Sequence, residues 1–494
     1  MNKKSFNLID RPWIKVIGRQ PVSLRRVFAD WRAGYELAGN PIEKLLVFRL
    51  LLAILERALP LEHQHDWRTL TLEGMSKTAL SYFDRFHDVF DLYDEEKPFL
   101  QFPELRGKKG LNVGATALDK ANGNTTVLVE TQRVFSLSDA DIVYILLQQV
   151  MFATGGKRSN QSIALDGMKK SSTAVFGSAV GAKGYLHAYM KGVNLLESLR
   201  MNLWTVDDVK RSGAFPGGMG LPPWEVMPAT ESDAVAEVLR TTFIGRLIPM
   251  NRFCLIDGES IVLTEGIVMP GLTVGAVDPS VTITYVEGKW KGLYATTEKT
   301  PWRQFEAILA FLSGSDKCRW ICRQLQLCVP RENRPESPIG IWCGGIALTN
   351  FCGQQYLSGS DDFVEFEFLT SAGRIDEGFY NDYVEELRGL EAVGRELFNG
   401  VNGYWRTLSI PSSEADRRAK RALSRFWLKT EKWASIVMSA TDTREREAMR
   451  RDVVDILNGI FDEHCPGTSS RQLMAKVANR PRPVKKYLAR KEAK

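Results

Sequence analysis

Residues 380–401, YNDYVEELRGLEAVGRELFNGV, decide how the second half of the chain folds, because their apolar side chains recur at helical spacing. Val384, Leu387, Leu390, Leu397 and Val401 fall on one face of a helix at intervals of three, four or seven residues. The same spacing returns in three further runs, at 415–437, 449–460 and 472–478. Since short breaks rich in Pro, Gly and Ser separate the runs, the pattern predicts an antiparallel four-helix bundle over residues 371–494.

The part of the chain before residue 371 mixes helices with short strands. Asn40, Pro41 and Glu43 form the start signal of a buried helix over 45–59. Alternating apolar and polar residues predict strands at Phe6–Val16 and at 281–294, the latter with a turn at Glu287-Gly288. We therefore predict an α+β fold, with a mixed body of short sheets and helices over 1–370 followed by the all-α bundle.

Two long stretches, 107–131 and 155–192, lack regular apolar spacing and predict loops. The second stretch has Asp166 as its single acidic residue and carries six basic residues, Lys157, Arg158, Lys169, Lys170, Lys183 and Lys191. Lysines neutralise phosphates, and glycines allow close approach of the backbone to them. Because no nucleotide-binding glycine motif is present, nucleic-acid contact and a plain surface loop remain equally compatible with these residues.

Positive charge is concentrated at the C-terminal end of the chain. Residues 401–494 hold 21 lysines and arginines against 11 acidic residues, whereas the whole chain has a net charge of only +6. Arg417, Arg421, Arg425 and Lys429 lie four residues apart, so that they form a stripe along one predicted helix. Like charges at this spacing repel, and a phosphate backbone alongside them would relieve the repulsion. The alternative interpretation is a solvated helix face.

The sequence contains no recognisable catalytic motif, whether a nucleophile elbow, a zinc-protease helix or a nucleotide-binding loop. The spacing of its seven cysteines matches no zinc-binding pattern. An apolar signal segment and a membrane-spanning stretch are also missing, which favours a cytoplasmic protein. We predict no catalytic residue, no metal ligand and no cofactor. A metal-dependent nucleic-acid hydrolase and a structural scaffold without DNA contact remain the alternatives.

Several short motifs are spread along the chain. They are FNLIDRPWIKV at 6–16, DLYD at 91–94 with KPFLQ at 97–101, LPPWE at 221–225, PWR at 301–303 and WCGG at 342–345. Together, in their order and spacing, they resemble the large subunit, CasA, of the type I-E CRISPR Cascade surveillance complex. The resemblance extends over nearly the whole chain and includes a helical bundle at its end.

The resemblance implies a non-catalytic role in RNA-guided antiviral defence. Large subunits of this family recognise a short protospacer-adjacent motif in double-stranded DNA through the minor groove. They help to open the duplex for R-loop formation beside the crRNA, and they recruit a separate helicase-nuclease. The implied partners are target DNA, crRNA, the other Cascade subunits and that nuclease, without a membrane.

The resemblance also assigns roles to individual residues. Gln354 or Gln355 corresponds to a glutamine that wedges into the duplex. The motif-reading loop corresponds to Ala174, Gly177, Ser178 and Lys183. A loop touching DNA and the guide corresponds to Asn124, Thr125, Thr126, Leu128, Val129 and Glu130. The resemblance implies that the bundle helps to hold displaced DNA, and the spacing of basic residues makes Arg417, Arg418, Arg421, Arg425 and Lys429 the candidates for its contacts with the DNA backbone. A lysine that some relatives place over the motif falls near Met269, which cannot donate a hydrogen bond.

Overall fold

The structure is a computed structural model, and it describes most of the chain. The described residues are 4–117, 137–153, 165–166, 183–272, 278–313, 320–331, 337–351, 354–356, 363–439 and 443–482. For residues 349–351, 354–356, 439 and 443 only the backbone is described. The chain divides into two compact units. The first comprises Met1–Phe311 and Ser315–Gly373, and the second comprises Leu312–Gly314 and Arg374–Lys494.

The first unit mixes helices with small antiparallel sheets, which confirms the predicted α+β class. Its helices are α1 (Leu24–Ala29), α2 (Pro41–Ala58), α3 (Gln64–Thr69), α4 (Leu72–Arg85), α5 (Asp139–Met151), α6 (Leu195–Asn202), α7 (Val206–Ser212), α8 (Ala234–Thr241), α9 (Phe243–Leu247), α10 (Phe305–Ile308) and α11 (Arg323–Cys328). Its strands are β1 (Leu111–Asn112), β2 (His187–Lys191), β3 (Arg252–Asp257), β4 (Ser260–Glu265), β5 (Thr282–Val286), β6 (Lys289–Gly292), β7 (Trp320–Cys322), β8 (Pro338–Ile346), β9 (Thr349–Phe351), β10 (Gln354–Tyr356) and β11 (Phe363–Ser371).

Helix α2 forms the centre of this unit. The Asn40 side chain accepts hydrogen bonds from the amides of Ile42 and Glu43, and the Glu43 carboxylate accepts one from the Asn40 amide, so the predicted capping box is present. The helix packs against α4, α5, α9 and β8 and is buried along most of its length. Arg49 is buried within it and forms an ion pair with buried Asp278, since an unpaired charge at this depth would be costly.

Four antiparallel sheets are present in the described residues, with strand orders β1-β4-β3, β10-β9, β11-β8-β2 and β6-β5-β7. The predicted hairpin at 281–294 is confirmed as β5 and β6, which are connected by Glu287 and Gly288 at φ angles of 52° and 74°. Two residues with positive φ form the turn that matches the twist of paired strands.

Two sequence predictions in this unit are wrong. Phe6–Val16 is not a strand, because the amides of Asp10 and Arg11 bond back to the Asn7 carbonyl and form a turn. It contributes only isolated bridges, for example Ile14 with Val22. The predicted loop over 155–192 ends in a strand, β2, which is held on the edge of β8 by register pairs from His187–Gly344 to Lys191–Gly340. Burial of the first four residues of β2 beside β8 outweighs the weak strand signal of the local sequence.

The second unit is helical in its described residues. Its helices are α12 (Glu377–Thr407), α13 (Ser412–Thr430), α14 (Ala434–Ser439), α15 (Thr443–His464) and α16 (Ser470–Ala478). The prediction of one helix over 415–437 is wrong, because a 3-10 turn at Glu431–Trp433 separates α13 from α14. The buried Thr430 hydroxyl donates to the carbonyls of Phe426 and Trp427 at 3.0 and 3.1 Å, and such back-bonding bends helices.

The bundle packs α13 and α15 against the long helix α12. Small residues on α13, including Ala415, Ala419 and Ala422, are fully buried and allow close approach of the helices. A buried ion pair joins α12 to α15, with the Arg450 guanidinium 2.7 Å from the Glu386 carboxylate. The exposed side of α13 is thereby held at a fixed position on the bundle.

Candidate nucleic-acid interface

The two candidate wedge glutamines lie in a short antiparallel hairpin. Strands β9 and β10 pair in the register Gln354 with Phe351, Gln355 with Asn350 and Tyr356 with Thr349. Only two residues, 352 and 353, separate Phe351 from Gln354 along the chain. Gln354 is therefore in the pair next to the connection, and Gln355 is in the following pair. The hairpin begins two residues after β8, which anchors its base in the three-stranded sheet.

Lys183, assigned to the motif-reading loop, lies at the base of this hairpin. The neighbouring Gly184 has a φ of +86°, and a Cβ placed there would be 3.3 Å from the Ile346 carbonyl oxygen and 3.3 Å from Cβ of Leu348. Leu348 directly precedes β9. Lys183 is partly buried, and burial lowers the pKa of its ammonium group. The structure thus brings the segment at Lys183 to the base of the glutamine hairpin, although Lys183 and Gln354 are 171 positions apart in the sequence.

A second hairpin, β5–β6, is joined to the same region through the segment that follows it, and the sequence analysis predicted its strands but gave it no place in the interface. The amide of Leu186 donates to the Leu293 carbonyl, and the amide of Ala295 donates to the Gly184 carbonyl, both at 2.9 Å. On β6, exposed Lys289 and Lys291 flank Trp290, whose ring is 5.1 Å from that of Tyr285. The triplet KWK at 289–291, in which lysines alternate with an aromatic residue, is the sequence signal that could have indicated a nucleic-acid contact at this hairpin.

The remaining predicted positions of the first unit divide into two groups. Met269 is only 2% exposed, so it presents no side chain to a partner. The other positions lie outside the described residues, namely Asn124, Thr125, Thr126, Leu128, Val129, Glu130, Ala174, Gly177 and Ser178.

The basic stripe of the second unit lies on α13. Arg417, Arg421, Arg425 and Lys429 are exposed, whereas Arg418 is half-buried, with its guanidinium 3.9 Å from the centre of the Trp405 ring. The buried face of the same helix consists of Ala415, Ala419, Ala422, Phe426 and Thr430. The helix therefore separates a core face from a cationic face, as the sequence predicted.

The cations of this stripe differ in their partners. Glu414 accepts hydrogen bonds from Nε of Arg417 and Nε of Arg418, each at 2.8 Å. Nη2 of Arg425 is 3.0 Å from the carboxylate of Glu463 on α15. Arg421 and Lys429 make no ion pair with any residue that the structure describes. Two of the five candidate cations are thus available to a polyanion without the breaking of an ion pair.

Metal binding has no support in the described residues, where no group of three or more His, Cys, Asp or Glu side chains could hold an ion. Burial raises the pKa of Cys322 to about 11 and that of Cys328 to about 12, so both thiols are protonated at neutral pH. A metal would require the thiolates. No helix in the described parts of the chain is long and apolar enough to span a membrane.

One match to a known protein family covers both the mixed body and most of the helical bundle. The family model described as "CRISPR-associated protein Cse1" matches residues 7–458. This chain belongs to the Cse1 family. The match begins at the FNLIDRPWIKV segment and extends into α15. Membership of the Cse1 family confirms the resemblance drawn from the six motifs.

Individual relatives of this Cse1-family chain are distant in sequence and close in fold. It is 29% identical over 336 residues to the CasA/Cse1 protein of Thermus thermophilus, a match that covers 63% of this chain and 61% of the relative. The crystal structure of Thermus thermophilus CasA matches with a TM-score of 0.71 at 21% identity, covering 98% of this chain and 99% of that one. Thermobifida fusca Cse1 gives 0.74 at 17% identity, covering 98% and 95%.

A third solved structure is described as a CRISPR RNA-guided surveillance complex. Its matching chain has a TM-score of 0.69 at 18% identity, and the match covers 96% of this chain and 99% of that one. At these identities the structural likeness establishes the fold of the Cse1-family chain.

Proposed function

We propose that this chain is a non-catalytic DNA-recognition subunit of a crRNA-guided antiviral complex. The observation that carries the proposal is that the segment next to Lys183 meets both the base of the glutamine hairpin β9–β10 and the segment that follows the lysine-bearing hairpin β5–β6. Cse1 family membership supports it, as does the similarity to a chain of an RNA-guided surveillance complex.

In this proposal the first unit reads a short adjacent motif in duplex DNA. Lys183, Lys289 and Lys291 contribute positive charge beside the duplex, and the motif-reading loop with Ala174, Gly177 and Ser178 approaches the minor groove. The minor groove offers a degenerate pattern of hydrogen-bonding groups, so readout there tolerates more than one motif. Gln354 or Gln355 then enters the base step next to the motif, where guide pairing begins.

The second unit holds the DNA backbone through α13 in the same proposal. Cationic side chains that neutralise phosphates release counterions, and this gain is independent of base sequence. Arg421 and Lys429 make the first such contacts, and Arg417, Arg418 and Arg425 follow when their carboxylate partners are displaced.

The proposed partners are double-stranded target DNA, crRNA, the other Cascade subunits and the helicase-nuclease that cleaves the target. The segment with Asn124, Thr125, Thr126, Leu128, Val129 and Glu130 is proposed to touch DNA and the end of the guide. These assignments follow from the family resemblance, and with them we propose a cytoplasmic location.

Neutralising the exposed stripe tests the backbone contact. A variant with Arg417, Arg421, Arg425 and Lys429 all changed to Gln should bind every DNA sequence more weakly. The slope of log K against log salt should become shallower by about one unit for each lost phosphate contact. Motif preference should stay unchanged, because phosphates carry no base information. Titrations of the full chain with short duplexes at several salt concentrations measure both quantities.

A matched control removes four positive charges elsewhere in the bundle. Arg388, Arg395, Arg444 and Arg451 are exposed on α12 and α15, and their replacement by Gln changes the net charge equally. Circular dichroism confirms that both variants fold. If the slope stays constant in the stripe variant, or falls equally in the control, α13 does not contact the phosphates.

A further inference from the structure

Two carboxylates are paired with arginines of the cationic face of α13. Glu414, in the first turn of α13, bonds Arg417 and Arg418, and Glu463, in the last turn of α15, bonds Arg425. Hydrogen bonds from Arg418 and then Arg417 lower the pKa of Glu414, so it is negatively charged at neutral pH. Three of the five cations proposed to touch DNA therefore already have a negative partner.

The ion pair between Arg425 and Glu463 adds little to the stability of the bundle. Arg425 and Glu463 are 47% and 45% exposed, and pairs exposed to this degree contribute little to folding. The carboxylate also lies at the C-terminal end of α15, where the helix dipole disfavours negative charge. Replacing Glu463 by a neutral residue should therefore leave the bundle folded. Its negative charge acts mainly on whatever approaches α13.

We propose that Glu414 and Glu463 reduce the affinity of α13 for DNA by competing with phosphates for Arg417, Arg418 and Arg425. This inference rests on the proposed phosphate contact of the stripe. An incoming phosphate has to displace a carboxylate that is already bonded to the guanidinium. Arg421 and Lys429 form contacts without this competition.

The consequence is a limit on sequence-independent binding. Non-specific DNA competes with the target in proportion to its abundance, so recognition depends on the ratio of specific to non-specific affinity. When the phosphate contacts of the second unit are weaker, motif readout by the first unit contributes a larger share of the affinity. The position at which the protein stays bound then depends mainly on the motif. Glu414 and Glu463 thus determine specificity without touching a base.

Glu463→Gln in the full chain tests this inference, since it removes the charge and keeps the size of the side chain. The variant should bind duplex DNA about 1.5- to 5-fold more tightly near 0.1 M salt. Its log–log salt slope should be steeper by about one unit. Glu414→Gln combined with Glu463→Gln should enlarge both effects. The ratio of affinities for motif-bearing and motif-free duplexes should fall.

Glu447→Gln is the matched control on the same helix. Glu447 is exposed, forms no ion pair with any described residue and precedes Glu463 by sixteen positions. That separation is about 24 Å along the helix, well beyond the screening length of about 10 Å at 0.1 M salt. We expect the affinity of this control to equal that of the unmodified chain.

A double-mutant cycle with Arg425→Gln tests whether the change in DNA affinity caused by Glu463→Gln acts through Arg425. In the Arg425→Gln background, Glu463→Gln should give little or no gain in affinity, because no guanidinium remains to be released. Equal gains in both backgrounds, or unchanged or weaker binding by Glu463→Gln alone, would overturn the inference. If neutralising the stripe alters the salt slope but Glu463→Gln has no effect, the phosphate contact stands and this inference fails. An unchanged slope in the stripe variant overturns both.

Discussion

A chain that ends at Gly373 should keep a folded first unit and lose affinity for duplex DNA by on the order of a hundredfold near 0.1 M salt. The truncation removes α12 to α16 and with them the stripe on α13. It also removes the region of 401–494, where basic residues exceed acidic residues by ten. Because sequence-independent binding is almost entirely electrostatic, most of the measured affinity should disappear with this region.

Circular dichroism and thermal unfolding of the truncated chain check that the first unit folds. DNA titration over a range of salt concentrations then measures the loss of affinity and the change of slope. The full chain with Arg417, Arg421, Arg425 and Lys429 changed to Gln serves as the comparison. It retains the bundle and should show most of the same decrease in the slope of log K against log salt. A folded truncated chain with undiminished affinity would show that the second unit does not hold DNA.

Replacing Gln354 and Gln355 by Ala should slow R-loop formation on intact duplex about 5- to 30-fold, corresponding to a loss of about 1–2 kcal/mol. Unstacking a base step costs a few kcal/mol, and an inserted amide offsets part of that cost by replacing hydrogen bonds. The hairpin register puts Gln354 in the pair next to the connection and Gln355 in the following pair, close to the end of the hairpin that can enter a duplex. Alanine keeps the strand pairing but provides no amide.

The decisive comparison uses two DNA substrates, an intact duplex and one already unpaired beside the motif. The double variant should be slow on the first substrate and nearly normal on the second, because the second requires no unstacking. Asn350→Ala, on the paired strand opposite Gln355, is the control and should behave normally on both. Equal slowing on both substrates, or none on either, would exclude these glutamines as the wedge. Single variants then decide which of the two acts.

The sequence predicts those elements whose signals are local. The capping box at Asn40 and Glu43, the turn at Glu287-Gly288 and the long apolar period beginning at Val384 each depend on neighbouring residues, and all three occur in the structure. Strand β2 could not be predicted in this way. Its pairing with β8 joins residues about 150 positions apart, and nothing within the segment itself indicates that partner.

The candidate interface shows the same limit. The basic stripe on α13 follows from spacing within one helix, so the sequence predicts it. The partner of Arg425 cannot be predicted from spacing within α13, because Glu463 lies on α15 and contacts Arg425 only when the bundle forms. Likewise, only tertiary structure brings Gly184, the neighbour of Lys183, to the base of the glutamine hairpin and pairs it with the segment that follows β6.

Omission of the chain from a reconstituted complex tests the proposed function most directly. A crRNA and the other subunits are assembled with and without it, and R-loop formation is measured on duplexes whose bases next to the target are randomised. With the chain present, we predict R-loops on a restricted set of adjacent motifs. Without it, R-loop formation on intact duplex should be largely lost. R-loops formed at the same rate and with the same adjacent bases in both assemblies would contradict a role in motif recognition and duplex opening.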